Sequence, residues 1–503
     1  MNNIFNKDLD HGSFGHKDLG SPLPDDRNAV SFSLPEWEDV IDYELSKERV
    51  VSKIQTGYPR FFFHPDVNSL HKLYSKKFAD RYDDDRECIA LLNKTVANYG
   101  KEYLNNLSAN NGNDIVICDI IEEEGLFILI YNAEYSKEAK SFWQHSGYGV
   151  SSRQAYDILH GNNKTDYNTK AENIIKDRIA KIVDPSNKKN IVKNSFLFPC
   201  GMAAIYSIHH IIKTLNPEAK TIQLGFPYVD TLKIQENFGY GTHFINNDLD
   251  KLEEIISSEK ISAVFCEFPS NPLLKTVNIV KLHEILSRYN VPLIADDTVG
   301  TFYNLDILKY SDIIVSSLTK SYSGTGNVMS GLLIANPESK IYDKVIEIIN
   351  NNFINDSYYD DLDILEKNSR DFIDRIQQIN SNAEFICDFL RSHDEIEHVY
   401  YPKFTDKDNY NIIKTENGGY GGLLSIITKD KDFAPQIYNK LTIAKGPSLG
   451  TNFTLCCPYT LLAHFDELDW AEENDIPSHL IRISIGLENK NDLLNIFKNS
   501  LKR

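Results

Sequence analysis

Between about residue 171 and residue 320 the chain alternates short apolar runs with amphipathic stretches, and this alternation leaves few architectures open. "AENIIKDRIAKIV" spaces Ile174, Ile175, Ile179 and Ile182 along a helical face, and "GMAAIYSIHHIIKTL" does the same with Met202, Ile205, Ile208, Ile212 and Leu215. There follow a strand "TIQLGF", helices "VDTLKIQENFG" and "DLDKLEEIISSE", a strand "ISAVFCEF", a helix "NIVKLHEILSRY" and strands "VPLIADD" and "SDIIVSSL". Strands in alternation with helices predict an α/β fold with a largely parallel sheet covered on both faces. In such sheets a ligand sits beyond the carboxyl ends of the strands, so those ends are where function is to be sought. After about residue 340 the period changes. "DILEKNSRDFIDRIQQINSNAEFICDFLRSH" reads as a long helix, and "GGYGGLLSIIT" and "LIRISIGLEN" read as strands of a smaller α+β domain.

At 503 residues the chain is long enough for two or three domains. The predicted organisation is a flexible arm over residues 1–30, an N-terminal region of mixed signals over 31–170, a large domain over 171–340 and a small C-terminal domain over 341–503. In the mixed region "DIVICDIIEEEGLFILIYNAE" predicts two strands joined by an acidic turn, while "NNLSANNGND" and "HGNNKTDYNTK" read as loops. The 53 Lys and Arg against 72 Asp and Glu give a net charge of −19, which argues against nucleic acid or an anionic membrane as a general partner. Seven cysteines, odd in number and without a Cys-x-x-Cys, predict a reducing compartment and give no metal-ligand pattern. With no apolar run of about 18 residues and an N-terminus that resembles no targeting peptide, the expected location is the cytoplasm.

The strand ends carry an unusual set of polar groups. "VFCEFPSNP" delivers Glu267, Ser270 and Asn271, "LIADDT" delivers Asp296, Asp297 and Thr298, and "VSSLTK" delivers Ser317, Thr319 and Lys320. "FLFPCGMAAI" places Gly201 at the start of a helix, where backbone N–H groups and the helix dipole favour an anion. Each has a plain structural reading: a lysine reaching solvent, an aspartate capping a helix, a glycine in a turn. Together they meet the three demands of pyridoxal phosphate. A lysine amine forms a Schiff base with its aldehyde, an aspartate holds its pyridinium nitrogen protonated, and a glycine loop with hydroxyls binds its phosphate. Twenty-four residues separate Asp296 from Lys320, enough for two strands and a short crossover.

"EFPSNPLLKTVNI", "IADDTVGTF", "SDIIVSSLTKSYSGTGNVMSG" and "LIRISIGLE" resemble the pyridoxal-phosphate enzymes of cysteine and methionine metabolism, the cystathionine gamma-synthase group. The similarity runs over roughly residues 171–500. "SLPEWED", "GYPRFFFH" and "KGPSLGTNFTLCCPYTLLAHFDELDWA" resemble more narrowly its fungal branch. The resemblance implies a type I aminotransferase-like fold, with a mostly parallel seven-stranded sheet, a smaller C-terminal α+β domain and an extended N-terminal region. It implies that Lys320 binds the cofactor and moves protons, that Asp296 pairs with the pyridinium and that Tyr228 stacks on the ring. It further implies that Asn271 lies near the ring hydroxyl and that Gly201, Met202, Ser317 and Thr319 hold the phosphate. Arg482 would grip the substrate α-carboxylate, a task suited to a bidentate guanidinium, with Ser448 lining the same pocket; the structural alternative for Arg482 is a core ion pair.

The family also completes its phosphate site with a Tyr-x-Arg pair from a neighbouring subunit, which implies a homodimer or homotetramer. Tyr58 and Arg60 of "GYPRF" match that pair, with Tyr58 also a catalytic candidate, but they stand about 140 residues before Gly201. Arg153 in "HSGYGVSSRQAYDIL" is the other candidate. Two further departures are Cys200 where a serine is usual and Phe453 where many relatives carry a glutamate. The implied reaction is γ-replacement on an O-acylhomoserine with cysteine, giving cystathionine. Sulfide as nucleophile giving homocysteine, a cystathionine lyase, and a catalytically silent relative with a regulatory N-terminal module are the alternatives.

Overall fold

The computed structural model describes residues 15–57, 62–81, 85–110, 118–162, 169–353 and 356–503. Its centre is a sheet of seven strands in the spatial order Ser195–Phe198, Gly331–Ala335, Ile313–Ser317, Leu293–Asp296, Ile261–Glu267, Lys220–Leu224 and Thr242–Ile245. Gly331–Ala335 runs antiparallel to both neighbours and every other neighbouring pair is parallel. The loop between Ser317 and Gly331 contains no helix to cross a face of the sheet, so the chain returns antiparallel.

Period two divides the strands between two apolar layers. Ile314 and Ala295 join the core on one face with Ile222, Val264 and Leu282, while Ile313, Val315 and Ile294 join the other with Phe265 and Ile208. Helix Gly201–Leu215 lies in the second layer and is buried along almost its whole surface. Its outer side is covered by an N-terminal unit built on an antiparallel sheet in the order Arg86–Leu91, Leu126–Asn132 and Cys118–Glu123. The two strands expected around the acidic turn are therefore present. Helices Pro65–Phe78 and Ser152–Leu159 pack one face of this sheet, and Lys94–Asn110 and Ser136–Ser146 join its other face to the core around helix Gly201–Leu215.

The smaller sheet runs Ile396–Tyr400, Leu423–Thr428, Ile481–Ser484, Leu455–Pro458 and Ala444–Lys445, antiparallel except for its last pair. Among the described residues no helix is long and apolar enough to cross a membrane.

Three expectations change. The residues read as one long helix form two, Tyr359–Asn368 and Phe372–Arg391. Between them the buried Ser369 hydroxyl bonds the Glu366 carbonyl and receives Arg178, a local alternative to the helical ladder. Helix Lys94–Asn110 runs through the first half of the loop expected at "NNLSANNGND", whose remainder lies outside the described residues. Residues 15–30, expected as a flexible arm, lie against the body of the protein, because Leu19, Leu23, Ala29 and Val30 are buried there.

The segment from Gly20 to Trp37 passes close to the carboxyl edge of the large sheet. Val30 N–H donates to the Gly326 carbonyl at 2.8 Å and Leu34 N–H to that of Lys445 at 2.8 Å. The Ser31 hydroxyl donates to the Pro447 carbonyl at 2.6 Å. Phe32 is fully buried with Leu34, Trp37 and Tyr438. Phe32→Ala should remove about 3–5 kcal/mol of packing, read as a lower thermal-unfolding midpoint than that of an exposed control such as Leu45→Ala.

Candidate active site

Asp296 closes its strand directly opposite Glu267 on one side and Val315 on the other, so register alone brings two carboxylates to one point beyond the sheet. They line a cavity of about 930 Å³, partly continuous with solvent, whose far wall comes from the smaller sheet through Ser448, Tyr459 and Arg482.

Glu267 accepts the backbone N–H of Tyr228 at 2.5 Å and that of Asn271 at 3.2 Å. One buried acid thereby fixes the backbone at two residues of the cavity wall. Among the described residues the hydrogen-bond partner of Asp296 is Thr298, whose backbone N–H lies 2.8 Å away. Burial lifts Asp296 above the ordinary carboxylate range, and burial together with the Asp296 charge pushes Glu267 well up. A cation placed against Asp296 would reverse its shift, which makes this wall a place for a protonated group.

The opposite requirement is met where helix Gly201–Leu215 begins. Cys200 precedes it, its thiol turned to the Gly147 carbonyl at 3.3 Å and held up at about 11 by burial, against the opposing pull of the Ala203 and Met202 amides. The backbone of Gly201 packs against Ser317: a Cβ at 201 would stand 2.8 Å from the Ser317 Cβ, so only glycine fits. The Ser317 hydroxyl is buried with no partner among the described residues. A helix N-terminus beside an orphaned hydroxyl fits a phosphate group.

Lys320 Nζ donates to Ser448 Oγ at 3.0 Å. Ser448 holds φ +87°, a left-handed conformation costly for a residue with a Cβ and sustained here by its surroundings. The loops carrying Lys320 and Ser448 are pinned together by Arg375, buried on helix Phe372–Arg391. Its Nη1 donates to the Ser321 carbonyl and Asn452 Oδ1, its Nη2 to the Tyr322 and Asn368 carbonyls, and its Nε to Asp371.

Arg482 is 6% exposed, donating to Asn271 Oδ1 at 3.1 Å and to the Ser448 carbonyl at 2.8 Å. No carboxylate among the described residues pairs with it, so the core ion pair that sequence leaves open is absent there. A buried cation without an acid is a receptor for an anion that arrives from outside.

The family model described as "Cys/Met metabolism PLP-dependent enzyme" matches residues 131–502, and "Fungal trans-sulfuration enzyme, N-terminal domain" matches residues 66–151. The chain is 33% identical to a cystathionine gamma-synthase of Neurospora crassa, over 96% of this chain and 98% of that protein. It is 30% identical to a cystathionine gamma-synthase of Saccharomyces cerevisiae, over 95% and 98%. The chain belongs to the Cys/Met metabolism PLP-dependent enzyme family. It is an enzyme of that class, and pyridoxal phosphate is its cofactor. Solved structures agree in fold. A cystathionine gamma synthase from Xanthomonas oryzae pv. oryzae in complex with cystathionine has a TM-score of 0.57 at 18% identity, covering 68% of this chain and 88% of that one. A cystathionine gamma-lyase from yeast has a TM-score of 0.56 at 23% identity, covering 63% and 85%.

Of the residues sequence singled out in this family member, the structure brings Lys320, Asp296, Tyr228, Asn271, Gly201, Met202, Ser317, Ser448 and Arg482 to one cavity. Thr319 is not among them. The turn after the strand points it inward, and its hydroxyl bonds the backbone of Ser330 at 3.1 and 3.3 Å. Tyr58 and Arg60 lie outside the described residues. Arg153 pairs with Asp361 at 2.8 Å and donates to the Asn327 carbonyl, on the wall of a second cleft that Gly57 also lines. Phe453 packs with Leu23, Ala444 and Leu455 and does not face the cavity, so replacing a glutamate there leaves the cavity wall unchanged. Sequence placed Glu267 at a strand end without a role. It missed Tyr459, whose signal was an aromatic directly after the strand-ending Pro458.

Asp297, one residue beyond Asp296, faces the other way. It is fully buried, its carboxylate oxygens have no hydrogen-bond partner at ordinary length among the described residues, and burial, opposed in part by the nearby Ser316 hydroxyl, raises it to about 7. In the unfolded chain an aspartate titrates near 3.8, so between that value and about 7 the folded state holds the extra proton and stability falls as pH rises. Asp297→Asn abolishes that loss. Its thermal midpoint relative to the parent should rise between pH 4 and pH 7 and level off above, a gain on the order of a few kcal/mol; a difference that stays flat with pH would refute the assignment.

Proposed function

We propose that this enzyme performs γ-replacement on an O-acylhomoserine with cysteine as nucleophile, giving cystathionine. The observation that carries the reading is Arg482, a buried guanidinium without an acid partner among the described residues, in the cavity that holds Lys320 and Asp296. The residues present fit the cofactor. The amides of Gly201 and Met202 with the Ser317 hydroxyl would hold its phosphate, and Asp296 its pyridinium. Tyr228 and Asn271 would flank its ring, and Lys320 would attach its aldehyde. Bound there, pyridoxal phosphate supplies an electron sink for a substrate carbanion.

The chain's own groups then divide the work. Arg482 binds and orients the substrate α-carboxylate through in-plane N–H groups. Ser448 keeps the Lys320 amine aimed into the cavity, where its Nζ accepts a proton from one substrate carbon and returns it to another. Pro447, Leu449 and Leu462 exclude water from the departing acyl group. The end-to-end alignment with fungal cystathionine gamma-synthases supports cysteine as the nucleophile. The apolar character of that same wall favours a second reading, sulfide as nucleophile and homocysteine as product.

The purified protein should show a visible absorbance band that Lys320→Ala abolishes, with turnover falling more than about 10³-fold. Given O-acetylhomoserine and, in separate reactions, cysteine or sulfide, it should form cystathionine from cysteine, identified by mass spectrometry. Homocysteine alone would establish the second reading, and consumption of cystathionine without synthesis would establish a lyase.

Tyr58 and Arg60 are proposed to complete the phosphate site of a neighbouring subunit, since the structure gives Arg153 an internal partner in Asp361. Light scattering after size exclusion should therefore find a homodimer or homotetramer. A yellow, active monomer would sink this assignment.

A further inference from the structure

Where a buried arginine ordinarily meets an acid, Arg482 meets a ring. Tyr459 lies with its ring centre 4.7 Å from the guanidinium carbon, and its hydroxyl accepts from Asn271 Nδ2 at 3.4 Å. Register explains the contact. Cys457 stands directly opposite Arg482 across the antiparallel pair, so Tyr459, two positions on, reaches the same face diagonally. Asn271 thus touches both partners, accepting from Arg482 through Oδ1 and donating to Tyr459 through Nδ2. The ring is 3% exposed and forms part of the cavity wall.

A ring and an acid differ in what they leave free. A carboxylate would attract the guanidinium by occupying its N–H groups, and an incoming α-carboxylate would have to displace it. The face of an aromatic ring attracts the cation through its quadrupole, above the guanidinium plane, and takes none of the in-plane donors. We propose that Tyr459 is a positioning residue for the amino-acid substrate. It holds the Arg482 guanidinium in place while leaving its charge, and the N–H groups beyond those bonded to Asn271 and Ser448, for the α-carboxylate. The proposal rests on the role given to Arg482 above and adds to it a selectivity element, because the ring contributes to affinity only for ligands that carry that carboxylate.

The test uses the cofactor-loaded protein, two probes that differ in the carboxylate alone, L-norleucine and n-pentylamine, and two variants, Tyr459→Leu and Tyr459→Phe. Dissociation constants come from calorimetry. For Tyr459→Leu the affinity for L-norleucine should fall about 10-fold, the equivalent of about 1.4 kcal/mol, while that for n-pentylamine changes less than about 2-fold. Tyr459→Phe keeps the ring and should restore L-norleucine binding to within about 3-fold of the parent. In steady state, Tyr459→Leu should raise KM for the acylated amino acid and leave kcat within about 3-fold. Equal losses for both probes, or no loss for L-norleucine, would overturn the role of Tyr459 while the visible band remains. A parent protein that binds both probes equally would overturn the carboxylate role of Arg482, and that of Tyr459 with it. A parent that takes up no cofactor would overturn the reading of the site itself.

Discussion

The five donors of the Arg375 guanidinium reach three segments: the end of the preceding helix with the turn that follows it, the loop after Lys320, and the loop after Ser448. A buried guanidinium with every N–H matched is stable where it stands, and loss of any one partner would leave a buried N–H without an acceptor. Its carbonyl partners Ser321 and Tyr322 directly follow Lys320, and Asn452 stands four residues after Ser448. The Lys320–Ser448 contact therefore inherits its geometry from a charge behind the cavity wall. Gly324 belongs to the same arrangement. It holds φ +72°, and a Cβ there would stand 2.0 Å from Arg375 Nη1.

Charge within the cavity is separated rather than paired. Glu267 and Asp296 form an acidic wall, while Arg482 stands without a carboxylate partner among the described residues on the other side. Paired, these groups would neutralise one another and the cavity would hold little preference. Apart, they ask for a ligand with a cation toward one wall and an anion toward the other, which is the electrostatic outline of an amino acid joined to a protonated ring.

Much of this was legible in the sequence because strand ends are legible. Alternating apolar runs located the strands, and the residue after each run fell at the carboxyl edge, so Asp296, Asn271 and Lys320 could be grouped without coordinates. What escaped has physical reasons. Thr319 differs from Ser317 by a turn that begins one residue later, and no composition signal marks it. Tyr459 meets Arg482 only through the register of two strands separated in sequence by a run of short helices, the first of which Tyr459 itself begins. The first 30 residues look too polar to pack, yet a few buried side chains such as Leu19, Leu23 and Val30 suffice to anchor residues 15–30 when a groove is waiting for them.

That anchored segment has a mechanical consequence. It hydrogen-bonds Gly326 on the large-sheet side of the cavity and Lys445 and Pro447 on the small-sheet side, within five consecutive residues from Val30 to Leu34. A span so short has almost no slack, since five extended residues reach at most about 18 Å. The two walls can then part only by breaking those bonds, and the segment acts as a tether that limits how wide the mouth of the cavity opens. The spacing of the two walls is thus set by a segment that stands far in sequence from the residues lining the cavity.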